Sequence, residues 1–415
     1  MAPRIHSFGW LVLLAVTGTL TAELKQTRAQ TLNDGWSALE GKLRGVSVRF
    51  RGFTTGAETV DPNDKGHVEA IDLLAKSYTY GVYLRKLDTQ PDGIKKEFKE
   101  FDSDLSRILK VKNSPAMQPL AEVFSNRIRI HALEVLQLKD ALPIHKLHNA
   151  RVLAGVAELG QGSVAETLIT VLNDRQQNDG VHYYMLKGLD ELLPHLQPPQ
   201  QAKCAEALVA FLEQKKGPAK NASNEEIDGF CFLRREAIRA LAKIHTPAIN
   251  DKVRPALVLA RFAGNDSRLQ PPPRVDERVE AAIGLAQMQT APKDTEYQAD
   301  YAAGQIAKCL GAMARMADKE RANNIQRTYP WKILGTQLKG ALETLKKNNG
   351  KNPYVVQIAD KGGQLLTKVI NGAQINPNDQ TWWSSQESDP PSKELFRGSA
   401  DSTVTPAPFV EAPEK

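Results

Sequence analysis

A helix pattern rich in alanine and leucine occurs twice near the middle of this chain of 415 residues. Arg234–Ile244 (RREAIRALAKI) and Arg278–Met288 (RVEAAIGLAQM) align without a gap, 44 residues apart. The matched positions share charge or size, and they are Arg234 with Arg278, Glu236 with Glu280, Ala237 with Ala281, Leu241 with Leu285, and Ala242 with Ala286. One helix pattern that recurs at this distance is typical of stacked helical repeats. The sequence therefore predicts an all-α protein built from helix pairs that pack side by side.

The pattern continues towards the N-terminus in weaker form. Asn149–Leu159 and His182–Leu192 fit it with Val156 and Leu189 at the position of Leu241. Each copy precedes a second predicted helix, and these are Ser163–Leu172, Gln200–Gln214, Asp251–Phe262 and Tyr297–Met316. Two closing helices are predicted at Ile333–Leu345 and Tyr354–Ile370. We interpret residues 144–372 as one helical repeat domain.

Within this domain, Leu233–Ile244 and Val275–Met288 resemble the helices of HEAT-type repeats, in which an Asp, an Arg and a run of Ala and Leu recur within a helix pair. The resemblance covers residues 149–316. It implies a right-handed α-solenoid that binds or scaffolds another macromolecule through its groove, without specifying the partner.

The repeat pattern also makes local predictions. Small residues such as Ala242 and Gly284 are expected to let adjacent helices approach closely. Asp276 is expected to cap its helix, with Glu277 in the first turn. The charges of Arg234 and Arg278 are expected to pair with acids across the stack, since their positions repeat with the packing residues.

Residues 31–140 do not match the repeat, and we predict a mostly helical N-terminal region there. Apolar residues at helical spacing predict four helices, at Thr31–Leu43, His67–Leu87, Ile94–Val111 and Met117–Leu138. Val46–Phe53 (VSVRFRGF) alternates apolar and polar residues, which indicates either a strand or an extended loop lying on helices.

The first 29 residues have the pattern of an export signal. Arg4 precedes an apolar stretch of 13 residues, Phe8–Leu20. This stretch is short for a membrane-spanning helix, which needs about 20 apolar residues. We predict a cleaved signal peptide, with an uncleaved N-terminal anchor as the alternative. The protein is then expected in the periplasm, the cell envelope or the extracellular space.

The composition changes after residue 375, and 376–415 is predicted to be a mostly disordered tail. Seven acidic and three basic side chains give residues 373–415 a net charge of −4, against +6 for the whole chain. Trp382-Trp383 and Leu395-Phe396 are exceptions, and we expect them to dock on the helical body or on a partner.

Two polar loops interrupt the predicted repeats, Lys215–Asp228 and Gly264–Arg274. Insertions in repeat arrays often lie on the binding face. The alternative for both loops is a neutral surface position.

No pattern of residues predicts a catalytic, cofactor or metal site. His145 and His148 lie three residues apart and can share a helix face, but no third ligand completes a metal site. Solvated or core histidines are the simpler interpretation. Cys204, Cys231 and Cys309 have no ligand spacing, and buried free thiols are expected. The alternative is one disulfide in an oxidising compartment, whose pairing the sequence does not specify.

Charge alone decides little about partners. The basic side chains Arg127, Arg129 and His131, or Arg234, Arg235 and Arg239, do not interleave with aromatic residues, and export argues against nucleic acid. The favoured function is an exported, non-enzymatic binding or scaffolding module with a protein partner. The alternatives are an enzyme or accessory subunit with a site near His67 and a tyrosine cluster (Tyr78, Tyr80, Tyr83), and a self-associating envelope component.

Overall fold

A computed structural model describes residues 36–43, 45–85, 91–214, 217–219, 221–289, 296–323, 329–376, 383, 389–399 and 401–407. Helices dominate this part of the chain, and it contains no strand, only two isolated antiparallel bridges. The prediction of an all-α protein is therefore confirmed for the described residues. No helix among the described residues combines the length and the hydrophobicity of a membrane-spanning segment. The predicted export signal lies outside them.

The helices follow one another with short connections. In chain order they are α1 (residues 36–43 and 45–55), α2 (Lys65–Leu84), α3 (Pro91–Val111), α4 (Gln118–Gln137), α5 (Pro143–Ala157), α6 (Ser163–Leu172), α7 (Asp179–Leu192), α8 (Pro198–Gln214), α9 (Asn224–Ala242), α10 (Pro255–Ala263), α11 (Val275–Ala286), α12 (Ala299–Ala322), α13 (Trp331–Asn348) and α14 (Pro353–Asn371). Each predicted helix overlaps one of these.

The chain divides into two compact units between Thr167 and Leu168. The boundary falls within α6, so α5 belongs to the N-terminal unit, where it packs against α2, α3 and α4. In that unit the ring of Tyr78 meets Phe101 and Phe124 edge-on, with ring centroids 5.4 and 6.4 Å apart.

The strand or extended loop predicted at Val46–Phe53 is wrong, because these residues belong to α1. Val46, Phe50 and Phe53 are buried, and their spacing of four and three residues places them on one helix face. The polar residues between them produced an apparent alternation. The apolar contact surface selected the helical period, since Phe50 packs against Phe124 with ring centroids 5.7 Å apart.

In the C-terminal unit, the helices form two successions. The first runs α7, α9, α11 and α13, and each of these helices packs against the next. The second runs α8, α10, α12 and α14 in the same way. Helix α11 lies at the centre, because it also packs against α10 and α12 and buries 11 of its 12 residues.

The close approach predicted for small residues is confirmed between α9 and α11. A Cβ atom added to Gly284 would lie 2.7 Å from Cβ of Ala242 and 2.8 Å from Cδ1 of Leu259. Real Cβ atoms do not approach other atoms so closely, so glycine is required for this helix spacing. The matched positions Leu241 and Leu285 are fully buried, as their place in the pattern predicts.

The cap predicted for α11 needs a correction. The helix begins two residues earlier than a cap at Asp276 implies, and its N-cap is Arg274. Asp276 and Glu277 both lie in the first turn, where Glu277 accepts a hydrogen bond from the Arg274 N–H at 2.8 Å. The acidic first turn was predicted correctly, but Asp276 is not the cap. Its carboxylate bonds to arginine side chains instead.

The predicted disordered tail is not confirmed for the described residues beyond 376. Residues 389–399 and 401–407 lie on the helices of the C-terminal unit, where Leu395 and Phe396 are buried. Trp383 is also buried and reaches α12 at Gly311. These side chains dock on the helical body, which is one of the two outcomes expected for them. Trp382 lies outside the described residues.

Candidate functional site

Three aromatic side chains lie together at the surface of the C-terminal unit. The ring centroid of Tyr183 is 5.2 Å from that of Tyr184 and 5.5 Å from that of Phe232. The guanidinium of Arg235 lies 4.9 Å from the centre of the Phe232 ring. Phe232 is 40% exposed and the two tyrosines are partly exposed. We call Tyr183, Tyr184, Phe232 and Arg235 the aromatic patch.

Helix geometry places these residues outwards. On α7, the buried face is formed by residues such as His182 and Met185, which leaves Tyr183 and Tyr184 partly in solvent. On α9, Phe232 and Arg235 are three residues apart and share a face. Since α7 packs against α9, the two exposed edges join into one surface.

Arg235 is held in place within this surface. Its Nη1 donates to Oδ2 of Asp276 on α11 at 2.9 Å, and its Nη2 donates to Oε1 of Glu236 at 3.2 Å. A guanidinium fixed by two carboxylates loses little further freedom when it binds a partner. The patch therefore combines an exposed ring with a preorganised cation.

A buried ionic network joins α9 to α11 behind the patch. Arg234 is 4% exposed and donates from Nη2 to Oε2 of Glu277 at 3.0 Å. Glu277 is fully buried. Arg239 forms ion pairs with Glu280 and Glu236. The prediction that Arg234 pairs with an acid on the adjacent helix is confirmed.

The same prediction is wrong for Arg278. Its guanidinium donates to the carbonyl oxygens of Ala263 at 3.1 Å and Lys308 at 3.0 Å. No carboxylate of the described residues lies within 4.0 Å of it. Burial lowers the pKa of Arg278. The matched Arg234 and Arg278 therefore share a sequence position but differ in their environment.

The N-terminal unit contains a second network, centred on His131. Nε2 of His131 lies 2.7 Å from Oδ1 of Asp72, and Nδ1 lies 2.9 Å from the hydroxyl of Tyr80. The Tyr80 hydroxyl also donates to Glu134. Lys76 and Arg127 add ion pairs to Asp72, at 2.9 and 3.7 Å. Tyr80 is fully buried, so this network lies inside the helix packing.

Opposite effects set the charge of His131. Burial lowers its pKa, but the hydrogen bonds to Asp72 and Glu134 outweigh burial and raise the pKa above its ordinary value. For Asp72 the effects are reversed, because burial raises its pKa. The hydrogen bonds and charges of His131 and Lys76 outweigh burial, so the pKa of Asp72 lies well below its ordinary value. The charged imidazolium and the charged carboxylate therefore stabilise each other.

We expect this network to make stability depend on pH. Because the folded pKa of His131 is raised, its contribution is complete below the unfolded pKa of about 6.5 and is lost as pH rises through the folded pKa. The difference in free energy of unfolding between the wild type and His131→Gln should therefore shrink above neutral pH. Urea titrations at several pH values measure it, and a constant difference from pH 5 to 9 would contradict the assignment.

The other residues predicted as candidates are structural. His148 Nε2 lies 2.6 Å from the carbonyl oxygen of Tyr78, and burial lowers the His148 pKa to about 4. His145 is also buried, and its Nδ1 accepts a hydrogen bond from the Leu142 N–H at 3.2 Å. Among the described residues, no group of three His, Cys, Asp or Glu side chains is placed to hold a metal ion.

The tyrosine cluster does not converge on one point. Tyr78 bonds to Asp104 and Tyr80 to Glu134, while Tyr83 donates to Asp140 at 2.8 Å. His67 lies 2.9 Å from Glu58 instead. Because each hydroxyl meets a different carboxylate, the four side chains do not form a single site.

The cysteines are buried free thiols at Cys204, Cys231 and Cys309, as predicted. Burial raises the pKa of Cys204 and of Cys231 to about 12 and that of Cys309 to about 11. A thiol with so high a pKa is a poor nucleophile near neutral pH.

Sequence reasoning missed the aromatic patch and the His131 network. Tyr183 and Tyr184 were part of a predicted helix, and the only signal was their place beside the apolar face. Phe232 precedes the repeat pattern by two residues and carried no signal of its own. His131 and Asp72 are 59 residues apart, so only the packing of α2 against α4 brings them together.

The described residues define an all-α protein, and comparisons with known proteins do not define its class any further. No protein-family model matches the chain, and no curated protein matches it. One solved structure, titled "Crystal Structure of SYS-1 at 2.6A resolution", is similar with a TM-score of 0.39 and 11% identity. The match covers 75% of this chain and 55% of that chain. The chain therefore spans about half of the length of that protein, and so low a likeness assigns neither a fold family nor a function.

Proposed function

We propose that this chain is an exported helical-repeat protein of the cell envelope that binds or scaffolds another protein and catalyses no reaction. Its C-terminal unit is, in this proposal, a right-handed α-solenoid of HEAT-like helix pairs. The partner contacts the aromatic patch.

The order of helix contacts in the C-terminal unit supports the solenoid. Alternate helices pack in two successions, α7 to α13 and α8 to α14. Members of the two successions pack together as α8 with α9, α10 with α11, and α13 with α14. A stack of helix pairs makes this contact pattern because each pair touches only its neighbours.

The aromatic patch is the observation that carries the binding proposal. Tyrosine, phenylalanine and arginine are enriched in the buried centre of protein interfaces. A few such residues usually supply most of the binding energy. Here three rings and one fixed guanidinium lie side by side, although only 6% of the chain is aromatic.

The pattern of the first 29 residues supports export. Fractionation of cells that express the full chain tests it. We expect the protein in the envelope or outside the cell, and in the cytoplasm when Val12 and Leu14 are both replaced with Arg. A wild-type protein that stays in the cytoplasm would contradict export but would leave the binding proposal standing.

The patch is tested by photo-cross-linking from residue 232 in the full chain. We expect a specific cross-linked partner, and we expect Tyr183→Ala to abolish it. Once the partner is purified, Phe232→Asp should weaken its affinity at least about tenfold, the loss typical of a hot-spot residue. The substitution should leave stability within about 0.5 kcal/mol, because Phe232 is at the surface.

Ile333 on α13 provides a matched control, because it is apolar and 59% exposed. Cross-linking from position 333 should not capture the same partner, and Ile333→Asp should leave its affinity unchanged. Equal cross-linking from positions 232 and 333, or from neither, would reject the aromatic patch as the binding surface.

A further inference from the structure

The C-terminal segment of the described chain lies on the C-terminal unit like a bound peptide. We call residues 389–399 and 401–407 the strap. The surface beneath it, which we call the seat, has three parts. They are Arg254 and Arg261, which are the N-cap of α10 and a residue within it, residues 264–268, and residues 296–304, which precede and begin α12.

Main-chain hydrogen bonds hold the strap at two points. At the first, the Gln298 N–H donates to the Leu395 carbonyl at 2.8 Å, and the Arg397 N–H donates to the Glu296 carbonyl at 2.9 Å. These bonds flank an antiparallel bridge between Tyr297 and Phe396. Pairing of this kind is how extended peptides bind to exposed backbone.

The second point lies near the end of the strap. The Ser267 N–H donates to the Thr405 carbonyl at 2.8 Å, and the Ala407 N–H donates to the Asn265 carbonyl at 2.8 Å. The Val404 N–H donates to the Tyr301 hydroxyl at 2.7 Å. The backbone of the strap is therefore recognised along its length.

Apolar anchors and charges add specificity. Phe396 is buried between the ring of Tyr297, 5.8 Å away, and the guanidinium of Arg254, 5.1 Å away. Asp401 lies between Arg261 and Arg268, with an ion pair of 3.2 Å to each. An extended segment with an aromatic residue and, five residues later, a carboxylate fits the seat.

Two glycines of the seat fit the strap closely. A Cβ atom added to Gly304 would lie 2.7 Å from the Pro390 ring, and one added to Gly264 would lie 2.8 Å from Val404. The seat is thus shaped to this segment, and a side chain at either glycine would displace it.

Hydrogen bonds within the strap also fix its shape. The Leu395 N–H donates to the Ser402 carbonyl at 2.9 Å, and the Ser402 hydroxyl lies 2.9 Å from the Phe396 carbonyl, to which it donates. Gly398, with a φ of 74°, makes the turn between them. A segment that holds its shape by internal bonds loses less conformational freedom when it binds.

We propose that the seat also accepts the strap of a second copy of this chain, so that two copies can exchange their C-terminal segments. An exchanged strap makes the same contacts as the strap of its own chain, so exchange costs little. The chain's own strap competes at an effective concentration of about 1 mM. Exchange is therefore expected where copies are concentrated or where one strap is weakened. The aromatic patch takes no part in it.

The first test uses the full chain with Phe396→Asp, which weakens its own strap and leaves the seat intact. A labelled synthetic peptide of residues 389–407 should bind this variant at least tenfold more tightly than it binds the wild type, by fluorescence anisotropy. The same peptide with Phe396→Asp should not bind. If the variant loses helical circular dichroism, the full chain with Asp401→Lys replaces it, since Asp401 is at the surface.

The second test mixes two full-length variants. Gly304→Leu blocks the seat and leaves the strap free, whereas Phe396→Asp leaves the seat open. Light scattering should show each variant alone as a monomer and the mixture as a one-to-one dimer, at protein concentrations up to about 1 mM. A folded acceptor that binds no peptide, or a mixture that stays monomeric, overturns strap exchange. Neither result affects cross-linking from residue 232.

Discussion

Replacing Glu277 with glutamine is expected to lower the free energy of unfolding by about 3–5 kcal/mol, the cost of leaving a buried charge without its partner. Glu277 is fully buried and accepts two hydrogen bonds from Arg234, which is itself buried. Glutamine has nearly the same shape, so the substitution removes the charge rather than the packing. Urea denaturation followed by far-UV circular dichroism measures the loss.

The double variant Arg234→Met with Glu277→Met distinguishes the cost of leaving one buried charge unpaired from the cost of removing both charges. Replacement of both charges by apolar side chains is often neutral or stabilising, so the double variant should be more stable than Glu277→Gln. Glu206→Gln on α8 is the matched control, because Glu206 is exposed and should change stability little. If Glu277→Gln behaved like this control, the buried ion pair would not be the link between α9 and α11.

Leu285→Ala is expected to cost about 3–5 kcal/mol, the upper part of the range for buried leucines. Leu285 is fully buried on α11, which packs against α9, α10, α12 and α13. Neighbours on several sides leave the cavity little room to collapse, so most of the packing energy should be lost.

The exposed Ile333 again supplies the comparison, since Ile333→Ala should change stability by less than about 0.5 kcal/mol. Both variants should keep the urea dependence of the wild type, because neither changes the surface exposed on unfolding. Similar stability losses for the two would show that α11 is not the centre of the packing in the C-terminal unit.

Much of the helical structure was predictable from local patterns. Ser163–Leu172 was predicted with the bounds that α6 has, and the ends of α13 and α14 differ from prediction by a few residues. Long amphipathic stretches succeed in this way because burial of one face and the helical period agree. The prediction for Val46–Phe53 failed because its eight residues satisfy both periods. Tertiary contacts, such as those of Phe50 with Phe124 and of Phe53 with His67, favour the helix.

The candidate site was much less predictable. The aromatic patch depends on the packing of α7 against α9, two helices separated by α8. Equivalent sequence positions were also poor guides to chemistry. Arg234 meets a carboxylate, whereas Arg278 meets two carbonyl oxygens, because different neighbours surround them.

Apart from Val46–Phe53, local sequence patterns predicted where helices form and which faces they bury, because helix periodicity and the size of alanine, leucine and glycine are local properties. The tertiary structure alone decided which charges are neutralised and which residues stay exposed, because these depend on contacts between residues far apart in the chain. His131 meets Asp72 across 59 residues, and Phe396 meets Arg254 across a longer separation still. In the tail, an acidic and polar composition indicated disorder, but the seat supplies backbone and arginine partners that order the strap.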